Sequence, residues 1–256
     1  MKMSQPFKDK VVVVTGGSSG IGYATAIALA EQGAQTAVIA DINQSGLESA
    51  VAYGNQHELS IESMQLDVSS AENVERMIKT VLDKHGRLDC AVNNAGIEGE
   101  MKPTHECSEE NWDRVMGVNL KGIWLSMKYE LQAMLAQGSG SIVNVSSTAG
   151  VGGLPQWSAY SASKHGVLGL TKTAALEYAK TGVRINAVCP GAIETAMTDR
   201  IIEREPSMKE MYVQLEPVGR MGQPAEVAQA ILWLLSEEAS FVTGHAMHVD
   251  GGFLSF

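Results

Sequence analysis

Short apolar runs alternate along this chain with longer segments whose apolar residues recur every three to four positions. Seven such runs lie near residues 11–15, 35–40, 61–66, 88–92, 140–146, 183–189 and 246–250. Strands separated by helical segments in this way are typical of a parallel sheet covered by helices on both faces. The pattern predicts an α/β protein with a seven-stranded parallel sheet in the doubly wound order 3-2-1-4-5-6-7, which binds ligands at the carboxyl ends of its strands.

A glycine-rich turn directly follows the first apolar run. Val11–Val14 lead into Thr15–Gly22 (TGGSSGIG), after which a helical pattern runs from Ala24 to Ala30. Such a turn presents backbone N–H groups and the positive end of a helix dipole to a pyrophosphate. A tight connection without a ligand is the alternative, but the position after the first strand of an alternating chain favours dinucleotide binding.

Asp41 stands at the end of the second apolar run, where a ribose-binding acid is expected roughly 20 residues past the glycine turn. A carboxylate there accepts hydrogen bonds from the ribose hydroxyls of adenosine and repels a 2′-phosphate. Neither Ser18, Ser19 nor Ile42 offers the cation that a 2′-phosphate needs. An ordinary loop aspartate is the alternative, and the sequence favours NAD over NADP.

Tyr160 and Lys164 are four residues apart, with Ser147 upstream. In a helix, positions four apart share a face, so the phenol and the ammonium can reach one site. A neighbouring cation favours the phenolate, which predicts a lowered pKa for Tyr160 and proton exchange with an alcohol or a carbonyl. A solvated helix face is the alternative when the pair is taken alone.

Together these residues resemble the short-chain dehydrogenase/reductase family in its common short form, over nearly the whole chain. The matching motifs, in the family's order and spacing, are Thr15-Gly16-x-x-x-Gly20-Ile21-Gly22, Asn93-Asn94-Ala95-Gly96, Asn119, Ser147, Tyr160-x-x-x-Lys164 and Pro190-Gly191. Extended epimerase-like relatives differ at the glycine turn, and enoyl reductases typically space their tyrosine and lysine further apart. This chain shows neither departure.

The resemblance implies four catalytic residues. Tyr160 would be the acid/base, and Lys164 would lower its pKa and bind the nicotinamide ribose. Ser147, rather than its neighbour Ser146, would hydrogen-bond the substrate oxygen, because it stands thirteen residues before the tyrosine. Asn119 would anchor a water in a proton relay from Lys164 to solvent. The alternatives are structural: the serines could end a strand, and Asn119 could cap a helical turn.

The resemblance also implies a single Rossmann domain over residues 1–256 that binds NAD. Asp67 and Val68 would contact the adenine, and the segment from Pro190 to Thr195 would hold the nicotinamide carboxamide and cover the pyrophosphate. The implied cofactor contacts are Gly16, Ser18, Ser19, Gly20, Ile21, Gly22, Asp41, Ile42, Asp67, Val68, Asn93, Ala95, Gly96, Tyr160, Lys164, Pro190, Gly191, Ile193 and Thr195.

Composition narrows the function classes further. The formal charge of −10 provides no basic patch, which argues against nucleic-acid binding. Met1–Pro6 carries no signal-peptide stretch, and no apolar run approaches the length that spans a bilayer. We therefore expect a soluble cytoplasmic protein without membrane contact. The six histidines and three cysteines do not fall into metal-ligand spacing, so we expect no metal site.

Two segments are apolar on more than one face, namely Val115–Leu135 and Ile231–Leu235. Helices that are apolar nearly all round are usually buried. Relatives commonly pair helices at the first position across a dimer, and the second, with the C-terminal Asp250–Leu254, resembles the surface used to form tetramers. The resemblance therefore implies a homotetramer.

The substrate pocket is the least defined part. Candidate contacts are Glu98, Gln156, Trp157 and Met197, and residues 196–215 resemble the family's mobile lid. Glu98 could bind a polyol hydroxyl or cap its loop. The local sequence at Asn94–Gly99 and Val151–Pro155 resembles that of chains named glucose 1-dehydrogenase or cyclic alcohol dehydrogenase.

Two functions stay open on sequence alone. The first is an NAD-dependent oxidoreductase that acts on a secondary alcohol or ketone. The second is a catalytically silent NAD-binding sensor or scaffold, which would have little reason to keep all four catalytic residues.

Overall fold

The computed structural model describes residues 5–255. Met1–Ser4, which contribute to the signal-peptide argument, and Phe256 lie outside the described residues. The strands are β1 (Val11–Thr15), β2 (Thr36–Asp41), β3 (Ile61–Gln65), β4 (Cys90–Asn93), β5 (Gly140–Val145), β6 (Val183–Pro190) and β7 (Ala246–Val249). The helices are α1 (Gly20–Glu31), α2 (Gln44–Gln56), α3 (Ala71–His85), α4 (Glu109–Met116), α5 (Gly122–Gln137), α6 (Ser158–Tyr178), α7 (Ala196–Arg204), α8 (Ser207–Leu215) and α9 (Pro224–Leu235).

The sheet has the predicted order 3-2-1-4-5-6-7, and every neighbouring pair is parallel. Each strand falls within two residues of its predicted bounds. The chain moves outward from β1 to β3, then returns to place β4 on the other side of β1. The reversal between β1 and β4 opens a crevice at their carboxyl ends.

The strands alternate their side chains between two apolar layers. In β1, Val12 and Val14 pack with α1, α2 and α9, whereas Val11 and Val13 pack with α3, α5 and α6. All four valines are fully buried. A strand covered on both faces needs apolar residues at every position, which is why β1 is a continuous valine run.

One long helix runs from α4 through a π-helical turn (Gly117–Lys121) into α5. It begins at Ser108, whose side chain accepts the Asn111 N–H, and ends at Gly138 in the left-handed conformation with φ 77°. A π turn widens one helical turn by one residue, and such turns are frequent at functional sites.

Several large apolar side chains are exposed on the helices. Trp112, Trp124 and Trp233 are 40%, 46% and 38% exposed, so the two predicted apolar segments are only partly buried in the described chain. Among residues 5–255, none of the helices is long and apolar enough to cross a membrane.

Candidate active site

A cleft of about 660 Å³ opens at the carboxyl ends of β1, β2, β4, β5 and β6. It brings together most of the residues singled out in the sequence. The predicted residues that line it are Gly16, Ser18, Ser19, Gly20, Ile21, Asp41, Ile42, Asp67, Val68, Ala95, Gly96, Glu98, Ser147, Trp157, Tyr160, Lys164, Pro190, Gly191, Ile193, Thr195 and Met197. Four others, Gly22, Asn93, Asn119 and Gln156, do not line it.

The glycine turn is packed too closely for side chains. A Cβ placed on Gly22 would overlap the Gly16 carbonyl oxygen, and one on Gly16 would lie 2.8 Å from the Ala95 Cα. Gly16 also has φ 65°, which disfavours other residues. Gly22 therefore does not line the cleft. Its missing side chain allows the first turn of α1 to pack directly against the glycine turn.

Asn94 ties this turn to the end of β4. Its Nδ2 donates to the carbonyl oxygens of Gly16 at 2.9 Å and Thr15 at 3.2 Å. In return, the Thr15 hydroxyl accepts the Asn94 N–H at 3.1 Å. These bonds fix the backbone around the start of α1, where unpaired N–H groups favour an anion.

Asp41 closes the far side of the same turn. Its Oδ2 accepts the Ser18 N–H at 3.2 Å and the Ser18 hydroxyl at 2.7 Å, and its Oδ1 accepts the Asn43 N–H at 3.0 Å. Ser18, Ile42 and Asn43 line this end of the cleft, and none of the three carries a positive charge. The carboxylate therefore stands at the end of β2 without a neighbouring cation from these residues.

Tyr160 and Lys164 lie on one face of α6 and both line the cleft. Lys164 Nζ donates to the Val145 carbonyl oxygen at 2.9 Å and lies 5.6 Å from the centre of the Tyr160 ring. Ser146 is turned away from the phenol, because its hydroxyl donates to the Lys164 carbonyl oxygen at 2.9 Å. Both serines line the cleft, and of the two it is the Ser147 hydroxyl that acts on the phenol, in the direction that lowers the pKa of Tyr160.

The pKa of Tyr160 is raised, opposite to the predicted direction. Burial of the phenol is the main cause, and the negative charge of Glu98 adds to it, while the Ser147 hydroxyl acts in the opposite direction. Lys164 does not reverse this, because its ammonium lies over the ring and donates to a carbonyl rather than to the phenol oxygen. Burial also lowers the pKa of Lys164, to about 8.

Asn119 lies in the π turn, one layer behind the cleft. Its side chain accepts the Ile97 N–H at 2.8 Å and donates to the Ile97 carbonyl oxygen at 2.9 Å and to the Ser163 hydroxyl at 3.2 Å. It thus joins the loop after β4 to α6. Gly96 separates Asn119 from Lys164, since a Cβ there would lie 3.4 Å from Asn119 Oδ1 and 3.5 Å from Lys164 Nζ.

Asn93 was predicted to contact the cofactor, and this prediction is wrong for its side chain. Asn93 is fully buried, and its Nδ2 donates to Glu130 Oε2 and to Asn144 Oδ1, both at 3.0 Å. The reason is strand alternation: Asn93 is the last residue of β4 and faces α5, whereas Asn94 faces the glycine turn. Burial raises the pKa of Glu130 to about 7, and this carboxyl belongs to an internal polar cluster with Asn93 and Asn144.

The segment after β6 is held by a residue that sequence reasoning missed. The Ala192 N–H donates to Glu216 Oε1 at 2.7 Å, and a Cβ on Gly191 would overlap the same oxygen. Glu216 is only 5% exposed, and burial raises its pKa. Thr195 then starts α7 through a capping box with Thr198.

Residues 196–215 form two short helices, α7 and α8, over the substrate end of the cleft. Their inner side completes a small apolar cluster of Leu154, Trp157, Tyr160, Met197, Ile201, Ile202, Met208 and Tyr212. Met197 lines the cleft as predicted, whereas Met208 is buried in the cluster and Met211 is partly exposed. Ile201 and Tyr212 fall within the predicted lid but were not singled out, and Leu154 was not predicted, because no local motif marks these residues.

Glu98 does not present a free carboxylate to the cleft. Its oxygens accept Arg200 Nε at 3.1 Å and Arg200 Nη2 at 3.0 Å, and Arg204 Nη2 lies at 3.5 Å. Glu98 is only 8% exposed, and these guanidinium groups lower its pKa despite burial. A polyol hydroxyl would have to compete with a bidentate ion pair, so the pair joins the loop after β4 to α7 instead.

Gln156 points away from the cleft. It is exposed and adopts φ 69°, and its carbonyl oxygen accepts the Lys102 N–H at 2.9 Å. The backbone bridge between Lys102 and Trp157 continues this contact. Gln156 therefore turns the chain so that the next residue, Trp157, enters the apolar cluster.

Comparison with known proteins gives a consistent family. A family model described as enoyl-(acyl carrier protein) reductase matches residues 16–254. Cyclohexanol dehydrogenase of Acinetobacter sp. (strain SE19) is 45% identical over 257 residues, covering 99% of this chain and 98% of that protein.

Two solved structures share the whole architecture. Levodione reductase has a TM-score of 0.93 at 38% identity, covering 96% of this chain and 98% of that one. Levodione reductase of Leifsonia aquatica is also 38% identical in sequence, over 96% of this chain and 94% of that protein. An actinorhodin polyketide ketoreductase solved with NADPH has a TM-score of 0.92 at 35% identity, covering 97% and 98%.

Proposed function

The chain belongs to the short-chain dehydrogenase/reductase family, and on that premise we propose that it is an NAD-dependent enzyme that interconverts an apolar cyclic secondary alcohol and its ketone. The carrying observation is that Tyr160, Lys164 and Ser147 converge at the strand ends, beside the glycine turn and under an apolar lid. A sensor without chemistry has no observation in its favour, because all the groups needed for proton transfer stand together.

Each catalytic residue has a separate task. Tyr160 takes the hydroxyl proton during alcohol oxidation and returns a proton to the carbonyl oxygen during ketone reduction. Ser147 donates a hydrogen bond to the same oxygen and stabilises the negative charge that develops there. When bound, the nicotinamide accepts the hydride in one direction and gives it in the other.

The raised pKa of Tyr160 gives the two directions different pH dependences. A protonated phenol is the form that reduces a ketone, and burial favours this form at neutral pH. Alcohol oxidation needs the phenolate, so its rate should rise with pH as Tyr160 ionises. Lys164, positioned by the Val145 carbonyl, and a water anchored by Asn119, which is positioned by Ile97, would carry the proton towards solvent.

Asp41 supports the choice of NAD. Its carboxylate occupies the end of β2 with Ser18 and Asn43 as partners, so a 2′-phosphate would meet a negative charge and no compensating cation from these neighbours. One related structure, an actinorhodin polyketide ketoreductase, was solved with NADPH. The proposal of NAD therefore rests on this chain's own residue.

The apolar cluster supports the substrate class. Leu154, Trp157, Met197 and Ile201 line the cleft with Tyr160, and the carboxylate of Glu98, which also lines it, is paired with Arg200. A sugar would leave its hydroxyls unpaired against such a wall. Relatives named cyclohexanol dehydrogenase and levodione reductase fit an apolar ring better than a sugar. The four-residue spacing of Tyr160 and Lys164 favours alcohol and ketone chemistry over enoyl reduction.

We also propose a cytoplasmic homotetramer whose lid is residues 196–215. The exposed Trp112, Trp124 and Trp233 supply apolar surface on the helices expected at the subunit contacts. Size-exclusion chromatography with light scattering would measure the mass, and a monomer at micromolar concentration would contradict the tetramer.

The first test is NAD reduction by the purified protein with cyclohexanol, cyclic diols, sugars and hydroxysteroids. Tyr160→Phe should lower kcat by roughly 10²–10⁴-fold, because it removes the proton acceptor, while NADH binding is nearly unchanged. Tyr178→Phe, the same change on the same helix outside the cleft, is the control. Retained turnover in Tyr160→Phe would contradict the acid/base role, and turnover of sugars alone would contradict the substrate class.

A further inference from the structure

A second cavity lies directly behind the apolar wall of the substrate pocket. It has a volume of about 240 Å³ and is lined by Glu100, Met101, Trp157, Ile201, Arg204 and Glu205. Two of these residues, Trp157 and Ile201, also line the large cleft that contains Tyr160. They therefore stand between the two spaces, which we call the inner pocket and the outer cavity.

Trp157 is held firmly in this position. It is 6% exposed, and the Trp157 and Tyr160 rings meet edge to face, with centres 6.1 Å apart and planes at 69°. The backbone bridge to Lys102 and the Lys102 N–H to Gln156 hydrogen bond fix its main chain. The ring therefore cannot swing away without breaking contacts on both sides.

Ile201 is held from the opposite side by α7. It is 8% exposed and packs with Trp157 and Met208 in one apolar cluster. Its neighbour Arg200, and Arg204 one turn further, both pair with Glu98. This ion pair keeps α7 against the loop after β4 and so keeps Ile201 against Trp157.

From this geometry, and resting on the proposed function, we propose that Trp157 and Ile201 form a partition that limits the substrate to the size of the inner pocket. The outer cavity behind it is large enough for an apolar group, since an apolar cavity of about 150 Å³ accommodates benzene. Its inner side is apolar, with Trp157, Ile201 and Met101, whereas its rim carries the charges of Glu100, Arg204 and Glu205. Replacing Trp157 or Ile201 by a smaller residue should open the outer cavity to the inner pocket, where it would bind a substituent on the substrate ring.

The test compares cyclohexanol with 4-alkylcyclohexanols from methyl to butyl. In the unaltered enzyme we expect kcat/KM to fall by more than about 10-fold along the series, because one misplaced methylene is worth roughly 10–200-fold. Trp157→Ala should raise kcat/KM for the butyl compound by roughly 10–100-fold relative to cyclohexanol. Ile201→Ala, which removes the other half of the partition, should shift the preference in the same direction. The preference of Trp157→Phe should lie between those of the unaltered enzyme and Trp157→Ala.

Phe241→Ala is the control, because Phe241 is a fully exposed aromatic residue that lines neither space. It should leave the size preference unchanged. An unaltered enzyme that accepts all members of the series equally would overturn the partition, and so would Trp157 and Ile201 variants that keep the original preference while folded.

Binding separates this proposal from the proposed function. Dissociation constants of the corresponding 4-alkylcyclohexanones with the enzyme and NAD can be measured by calorimetry without turnover, because the ketone and NAD are both oxidised and cannot exchange a hydride. If no alcohol is oxidised, but ketone affinity shifts towards larger rings in Trp157→Ala, the chemistry fails and the partition stands. If cyclohexanol is oxidised and neither affinity nor kcat/KM shifts, the partition fails alone.

Discussion

The two halves of the cleft are built in different ways. The cofactor half is made of main chain: the glycine turn, the ends of β2 and β4, and the segment after β6, which approach each other because side chains are missing or small. The substrate half is made of side chains from the loop after β4, the start of α6 and the lid helices α7 and α8.

This difference decides what each half tolerates. A main-chain surface is shared by every chain that folds the same way, and it recognises a ligand common to them all. A side-chain surface can be changed residue by residue without moving the strands. The comparison predicts that substitutions in the cofactor half disturb folding and cofactor binding together, whereas those in the substrate half change preference alone.

The largest effect should come from Gly22→Ala. The added Cβ would overlap the Gly16 carbonyl oxygen, so the turn or α1 must shift, with a loss of about 1–3 kcal/mol of stability. We expect the dissociation constant for NADH to rise by more than about 10-fold in addition. Fluorescence titration and thermal unfolding would measure both.

Gly169→Ala provides the control, because it lies in α6 with open space around its Cβ. It should be neutral or slightly stabilising, as alanine favours helix. Tight NADH binding by a stable Gly22→Ala protein would show that the turn tolerates a side chain.

An intermediate effect is expected from Asp41→Asn. The amide keeps one of the two acceptor oxygens, so either Ser18 or Asn43 retains its partner, and it removes the negative charge that opposes a 2′-phosphate. We expect the NAD-to-NADP preference in kcat/KM to fall by roughly 10-fold, or about 1.4 kcal/mol. Asp41→Ala should relax the preference and also weaken NAD, because it removes the acceptor. An unchanged preference in both variants would contradict the assignment of Asp41.

The smallest effect is expected from Glu98→Gln in the substrate half. Weakening the contact with Arg200 loosens α7, so KM for the alcohol should rise by about 3-fold while NADH binding stays the same. Because the negative charge of Glu98 raises the pKa of Tyr160, its removal lowers that pKa, and the rise of oxidation rate with pH should move to lower pH. Initial rates between pH 6 and pH 10 would test both effects.

Glu100→Gln, a change on the same loop at an exposed residue paired with Lys102, is the control and should leave the pH profile in place. A shift of equal size in this variant would mean that the effect does not depend on Glu98. Weaker NADH binding in Glu98→Gln would contradict the prediction that changes in the substrate half leave cofactor binding unaffected.

The same contrast explains how much the sequence could predict. Strand bounds and order follow from apolar runs, and the glycine turn follows from a contiguous motif, because both are local in the chain. Asn93 and Asn94 show the limit of prediction from sequence. Consecutive residues at the end of β4 point to opposite faces of the sheet, and only their partners, Glu130 on α5 and Gly16 in the glycine turn, show which asparagine faces the turn.

Contacts between segments far apart in the chain could not be predicted from the sequence. Glu98 meets Arg200 across 102 positions, and Ala192 meets Glu216 across 24. No periodicity or spacing signals such a partner, so Glu98 was expected to bind a hydroxyl or cap its loop, and Glu216, one residue past the predicted lid, was not singled out. The direction of the Tyr160 pKa was missed for a related reason, since burial depends on what the lid helices cover.

The π turn between α4 and α5 has a further consequence for how this helix tolerates insertions and deletions. A π turn holds one residue more than an α turn within a single, wider turn. Residues 117–121 therefore accommodate an extra residue while Val115, which faces the core, stays in phase with the face of α5 that carries Glu130. Deleting a single residue here would give an ordinary α-helix in which the two faces still match, so the core would survive while Asn119 loses its place between Ile97 and Ser163.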